Sequence, residues 1–336
     1  MKYCFLCEDF SKVDDVYPAY VREQLDKAFG QGTGRCYNKE YVLAHHEEFA
    51  DVEYIFSTWS MPCFDTVEIE KCFPRLRAVM YAAGSVQAFA RPFLASGAEV
   101  FSAWAANAIP VAEVTVSLIL LANKGYHMAS RYCSRSADMR NKAAEYVAIN
   151  HGNYGCKVGI IGVGMVGAEV CRLLARHHLT VLAFDPFCSP EKAAQLGITL
   201  VSLEELFSQC EVISNHLADN EATRGMLNYD LFSRMHQNTT FINTGRGAQV
   251  VERDLVRALK EKTHSCAILD VTFPEPPDAD SPLFGMDNVF LTPHLAGSQR
   301  DEWWRMAEYM LEEAVAHRDG KQTRFSVTEK MLETMA

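Results

Sequence analysis

The sequence predicts an α/β protein of two lobes, each with a mostly parallel sheet between helical layers, and three observations lead there. Apolar runs of strand length alternate with helical patterns, as βαβ units require. Several of those runs are apolar at nearly every position, the mark of strands covered on both faces. The runs also fall in two groups, before about Ala103 and after about Lys157, in a chain of 336 residues that exceeds the usual span of one domain.

Taken in order, strands are expected at 3–6, 52–56 and 78–81, then at 158–161, 181–184, 212–214, 240–243, 267–271 and 289–291. Between the groups, 110–124 reads as a helix with a polar, irregular continuation through His151. The stretch 108–122 is interrupted by Pro110, Glu113, Thr115 and Ser117 and falls short of the roughly 18 to 20 apolar residues that span a bilayer, so no membrane segment is expected. Residues 299–317 alternate acids with Trp303, Trp304, Met306, Tyr309, Met310 and Leu311 at helical spacing, an amphipathic helix that either lobe has room for.

Composition narrows the function. A 49% apolar and 22% charged chain is an ordinary globular protein. Its net charge of -11 repels phosphate backbones, and no basic patch offsets it, so nucleic acid is not an expected partner. Eleven cysteines, odd in number and scattered, together with an N-terminus that meets acid at Glu8, point to a reducing cytoplasm. Cys4 and Cys7 form a lone C-x-x-C in a strand with no second pair or nearby histidines, so no metal site is expected.

Lys157 to Ile161 leads into Gly162-Val163-Gly164-Met165-Val166-Gly167, and 168–177 continues as a helix. This is G-x-G-x-x-G after a strand and opening a helix, a Rossmann-type dinucleotide loop. Gly162 serves the tight turn, Gly164 a close backbone approach to pyrophosphate, Gly167 helix-strand packing, and the helix N-terminus draws the anion, with Met165 and Val166 in its first turn. The next strand ends in Asp185, whose carboxylate suits ribose hydroxyls and disfavours a 2'-phosphate. Pro186 and Phe187 bring no arginine, so the expected cofactor is NAD rather than NADP. A mere tight βα turn is the plainer alternative.

Three polar residues stand where buried strands meet loops. Arg246, between Gly245 and Gly247, offers a fork that matches a carboxylate. Glu275 lies between Pro274 and Pro276. His294 follows the last strand and is the natural proton donor near neutral pH. A carboxylate beside an imidazole favours its charged form and sets its tautomer. Taken singly, each residue is equally compatible with a surface salt bridge, an exposed glutamate or a satisfied core histidine.

The stretch 159–297 resembles the D-isomer-specific 2-hydroxyacid dehydrogenase family, with GIIGVGMVG from Gly159, NTGRG from Asn243, LDVTFPEP from Leu269 and TPHLAG from Thr292 in the family's order. The resemblance implies a Rossmann-type domain (107–297) inserted in a flavodoxin-like α/β catalytic domain (1–106 plus 298–336), with a cleft between them. It implies hydride exchange between NAD and a 2-keto or D-2-hydroxy acid, with Arg246 on the substrate carboxylate and carbonyl, His294 as acid/base and Glu275 as its partner. Asp270 is expected to face the nicotinamide carboxamide. His216 and Thr223, in 216–224, border the adenine and ribose, and Thr244, Gly245 and Gly297 line the cofactor. Ala83, Gly84 and Ser85 resemble the substrate loop whose amides bind the carboxylate, although Val86-Gln87-Ala88-Phe89-Ala90 departs from the family's second glycine and aspartate. Formate dehydrogenases carry glutamine where this chain has Glu275. Residues 106–146 match the family's interlocking dimer segment, so a homodimer is expected. The rival from another class is an NAD(H)-sensing protein similar to the C-terminal-binding corepressors. Trp59, Met61, Tyr81, Trp303 and Trp304 suit either a pocket or the core.

Overall fold

The structure is a computed structural model that describes residues 2–30 and 32–333. The chain divides into two compact units, Met1–Asn107 with Ser298–Ala336, and Ala108–Gly297. In the first unit β1 (Tyr3–Leu6), β2 (Cys36–Tyr37), β3 (Tyr54–Ser57), β4 (Ala78–Tyr81) and β5 (Glu99–Ser102) form a parallel sheet in the order β2-β1-β3-β4-β5. That is the flavodoxin-like order. A short strand from the far end of the chain, Ser326–Val327, adds antiparallel to β5.

The near-continuous apolar strands are explained by two cores, one on each face. Tyr3, Phe5, Tyr54, Phe56 and Met80 enter one core, and Cys4, Leu6, Ile55, Val79 and Tyr81 enter the other, because successive side chains alternate across a sheet. Cys4 and Cys7 therefore lie in different cores despite their spacing. The helix Asp301–Arg318 covers the first core with Met306, Ala307, Met310, Leu311 and Ala314. Each fully buried Met or Leu there contributes roughly 1.5 to 3 kcal/mol relative to exposure. Glu313 on this helix is buried, and its carboxylate accepts from Arg324 Nε at 3.1 Å and from the amides of Arg324 and Phe325, which fastens the chain just before Ser326–Val327.

The second unit contains β6 (Tyr154–Ile161), β7 (His178–Phe184), β8 (Thr199–Leu200), β9 (Val212–Asn215), β10 (Thr240–Asn243), β11 (Cys266–Leu269) and β12 (Val289–Leu291). All pair in parallel, in the order β12-β11-β10-β9-β6-β7-β8. The winding reverses between β6 and β9, and ligands of open α/β sheets bind outside the carboxyl ends of strands at such a reversal.

Two expectations need correction. The segment after 124 is not irregular: helices Tyr126–Arg135 and Arg140–Ala148 pack on each other, and Met128, Tyr132, Ala143 and Tyr146 join Cys266 in a small core of their own. Few apolar residues suffice for so small a core, so the periodicity is faint. The preceding helix runs from Trp104 to Asn123 with Pro110 inside it, and by length and composition it is long and apolar enough to cross a membrane, with mean hydropathy 1.8. Half of its most apolar 18 residues are buried, with Ala112, Val116, Ile119 and Ala122 in a core of the second unit, as expected of a core helix.

Candidate active site

At the end of β6 the backbone turns on Gly162, whose φ of +86° places it in the left-handed region and whose amide donates to Phe184 O at 2.8 Å. A Cβ here would meet His216 O at 2.8 Å, and one on Gly167 would meet Gly162 O at 1.9 Å, so both positions exclude a side chain. A Cβ on Gly164 would meet nothing within 4 Å, so open space lies beside this residue in front of the helix Met165–Leu174. Met165 is exposed at that helix start, with Val166 beside it, where unpaired amides and the helix dipole favour an anion.

Asp185 Oδ2 accepts from Val163 N at 2.7 Å and Oδ1 from Phe187 N at 2.8 Å. Each oxygen keeps a lone pair for a hydroxyl donor. Lys192 Nζ donates to Val163 O at 2.7 Å and pins the loop from its other side, a contact no sequence motif announces. An open glycine loop, a helix start and a half-satisfied acid together fit a dinucleotide.

His216 lies against this loop. Its Nε2 is 2.9 Å from Ser214 Oγ, its Nδ1 is buried without a partner among the described residues, and burial pulls its pKa down to about 3. The ring is neutral at physiological pH. Thr223 Oγ1 donates to Ala218 O at 2.6 Å and so closes the turn that follows.

Beyond β10, β11 and β12 the chain forms three loops laced by backbone bonds. Asp270 N donates to Asn243 O, and His294 N donates to Asp270 O, both at 3.0 Å. His294 Nδ1 lies 2.7 Å from Glu275 Oε1, and the side chains are 46% and 42% exposed, which leaves the imidazole accessible to a ligand. The carboxylate needs Nδ1 as the proton-bearing nitrogen, so Nε2 is free for a ligand. His294 has a φ of +55°, a conformation that costs a side-chain-bearing residue of order 1 to 3 kcal/mol and recurs at functional sites.

Asp270 holds that conformation. Buried at 3% exposure, its carboxylate accepts from Thr292 Oγ1 at 2.5 Å, Leu295 N at 2.8 Å and Ala296 N at 2.9 Å. Three donors thus bind it to the turn that carries His294 and leads to Gly297.

Arg246 makes no ion pair among the described residues, and Nη1 donates to Gly245 O at 2.8 Å. Thr244 Oγ1 is 2.8 Å from Thr115 Oγ1. Gly247 is required by its surroundings: a Cβ would lie 2.0 Å from Thr272 C and 2.6 Å from Phe273 N, so the arginine loop is seated directly on the strand exit that leads to Glu275. The sequence gives no sign of the buried carboxamides Asn215 and Gln249, which bond to each other at 2.8 Å beneath this loop.

In the first unit, Ser102 Oγ donates to Ala83 O at 2.9 Å and Gly84 O at 2.6 Å. With those carbonyls turned inward, the amides of Ala83, Gly84 and Ser85 have no hydrogen-bond partner among the described residues. Tyr81 and Met61 are core residues at 6% and 8% exposure. Trp303 Nε1 donates to Ser298 O at 2.6 Å and its ring meets Trp59 edge-on at 5.9 Å, whereas Trp304 turns to Tyr20 and Asp15 O.

Residues 116–296 match a family model described as D-isomer specific 2-hydroxyacid dehydrogenase, NAD binding domain. A D-3-phosphoglycerate dehydrogenase from Archaeoglobus fulgidus is 33% identical over 231 residues, 69% of this chain and 43% of that protein, so the chain spans less than half of that relative's length. A formate dehydrogenase from Chaetomium thermophilum is 32% identical over 272 residues, 78% of this chain and 73% of that one. Among solved structures, D-mandelate dehydrogenase from Rhodotorula graminis shares the fold with a TM-score of 0.81 at 18% identity, over 98% of each chain.

Proposed function

Because the chain belongs to the D-isomer specific 2-hydroxyacid dehydrogenase family, we propose that it interconverts a 2-keto acid and a D-2-hydroxy acid with NAD as hydride carrier. The observation that carries this reading is the 2.7 Å pair of Glu275 and His294, held on the loops that also present Arg246. The glycine loop 162–167 and Asp185 would hold the dinucleotide, which would supply the hydride for the carbonyl carbon of the substrate. His294 Nε2 gives its proton to the carbonyl oxygen, and Glu275, bonded to Nδ1, stabilises the imidazolium that holds that proton. Arg246 binds the carboxylate and the oxygen on which charge develops. In the oxidising direction His294 takes the hydroxyl proton. Asp270 keeps His294 in place rather than serving only the carboxamide, and the amides of Ala83, Gly84 and Ser85 are proposed carboxylate donors. Asp185 and the His216–Thr223 loop are assigned to the adenosine, with Thr244, Gly245 and Gly297 beside the cofactor.

Formate is a poorer substrate for this arrangement. Its oxidation to carbon dioxide transfers a hydride with no O–H proton to move, so the Glu275–His294 pair would be idle. We assign the protein to the cytoplasm, and to a homodimer in which exposed Leu121, Tyr126, Val147 and Ile149 are covered. The test is NADH absorbance with glyoxylate, hydroxypyruvate, phenylpyruvate and branched 2-keto acids. Consumption with at least one supports the enzyme. Tight NADH binding without consumption of any overturns it in favour of a nucleotide-sensing protein.

A further inference from the structure

Three carboxamide side chains, Asn215, Asn243 and Gln249, are wholly buried where β9 and β10 end. Asn215 Nδ2 donates to Asn243 Oδ1 at 3.0 Å and to Gln249 Oε1 at 2.8 Å. Asn243 Nδ2 donates to Arg246 O at 2.9 Å, and Gln249 Oε1 accepts from Arg246 N at 3.2 Å. The circuit closes through Leu217, whose carbonyl accepts from Gln249 Nε2 at 3.2 Å and whose amide donates to Asn215 Oδ1 at 3.3 Å. Gly245 N adds a donor to Asn243 Oδ1 at 3.1 Å. Every polar side-chain atom of the three residues is engaged, so the cluster escapes the penalty of a buried unpaired amide.

Such a cluster contributes little that apolar packing would not, but it fixes geometry. Both backbone polar groups of Arg246 are held by it, one by each of two carboxamides that are themselves bridged by the third. The arginine backbone is thereby set at φ -139°, ψ 146°, in a loop whose glycines alone would leave it free. An arginine side chain has long reach and high rotamer entropy, so a fixed backbone origin narrows the region its guanidinium can reach.

We propose that Gln249, with Asn215 and Asn243, is a positioning residue that presents Arg246 to the substrate carboxylate; this deepens the function proposed above and rests on it. The cluster touches no substrate itself. Its effect passes through Arg246, and a double-mutant cycle reads that directly. Gln249→Met keeps the volume and removes both hydrogen-bonding atoms. With NADH and a 2-keto acid of the panel above that is consumed, Gln249→Met is expected to raise KM about tenfold with kcat within about threefold, a split that a general loss of folded protein would not produce. Combined with Arg246→Ala, it should change kcat/KM by less than about twofold beyond Arg246→Ala alone. Should Gln249→Met not fold, as judged by circular dichroism, Asn243→Ser replaces it in the same cycle. Unchanged kcat/KM in Arg246→Ala overturns the arginine's role and this inference with it. A loss in Arg246→Ala together with wild-type KM in Gln249→Met, or an equal loss from Gln249→Met in both backgrounds, overturns the positioning role alone.

Discussion

Replacing Gly247 by alanine tests whether the arginine loop and the Glu275 loop act as one machine. The added Cβ would lie 2.0 Å from Thr272 C and 2.1 Å from Thr272 O, both backbone atoms that no rotamer change can move aside. Ordinary contact begins near 3.4 Å, so the two loops must separate by about 1.4 Å. Overpacking of this kind costs about 1 to 3 kcal/mol of stability. For chemistry the shift matters more, because about 1 Å of misplacement at a reacting centre lowers the rate roughly a hundredfold. Gly247→Ala is therefore expected to lower kcat/KM about a hundredfold for whichever 2-keto acid of the panel the protein reduces. Gly285→Ala is the control: nothing lies within 4 Å of its Cβ position, and a change within about 0.5 kcal/mol is expected. A folded Gly247→Ala protein with kcat/KM within about threefold of wild type would refute the reasoning.

Other substitutions probe the remaining parts. Glu275→Gln keeps an acceptor for His294 Nδ1 but removes the charge, so keto-acid reduction should slow about a hundredfold while Tm moves by less than about 2 °C, since the pair is exposed; a superimposable rate, or a collapse in Tm, speaks against the assignment. Asp185→Ala takes an acceptor from the ribose and from Val163 N, and should raise KM for NADH about tenfold while narrowing the NADH over NADPH preference, measured by initial rates with each nucleotide. His216 has a depressed pKa of about 3, against about 6.5 in the unfolded chain, so between these values the unfolded state binds the extra proton. Its contribution to stability is complete above about pH 6.5 and is lost by about 1.4 kcal/mol per pH unit as pH falls. His216→Gln should flatten the dependence of stability on pH between about 6.5 and 4.5 in urea melts, and parallel curves for the two proteins would reject the burial argument.

Much of this was legible because the signals are strong. The strands 78–81, 240–243 and 289–291 are found where the apolar runs place them, since strands covered on both faces leave uninterrupted runs. The two-residue strands Cys36–Tyr37, Thr199–Leu200 and Ser326–Val327 were not legible, because two residues carry no period, and pairing with a longer neighbour makes them strands. At the site, glycine and proline punctuation marks where Arg246, Glu275 and His294 sit, and the structure brings Glu275 and His294 into contact. The supports behind them were hidden. Asn215 reads as an ordinary strand end and Gln249 as a loop residue, and only folding in three dimensions shows both aimed inward, while exposed Lys192 reaches back to Val163 O.

The seam fastened by Glu313 has a consequence for biosynthesis. The unit 108–297 is one uninterrupted stretch and can acquire its shape as soon as it leaves the ribosome. The other unit draws its covering helix and its last strand from residues past 298, so its nascent half must wait, with Phe5, Tyr54 and Met80 uncovered, while the intervening stretch is synthesised. A release factor acting early, or a premature stop codon near 300, would therefore yield a sound nucleotide-binding body beside a sticky, chaperone-dependent remnant.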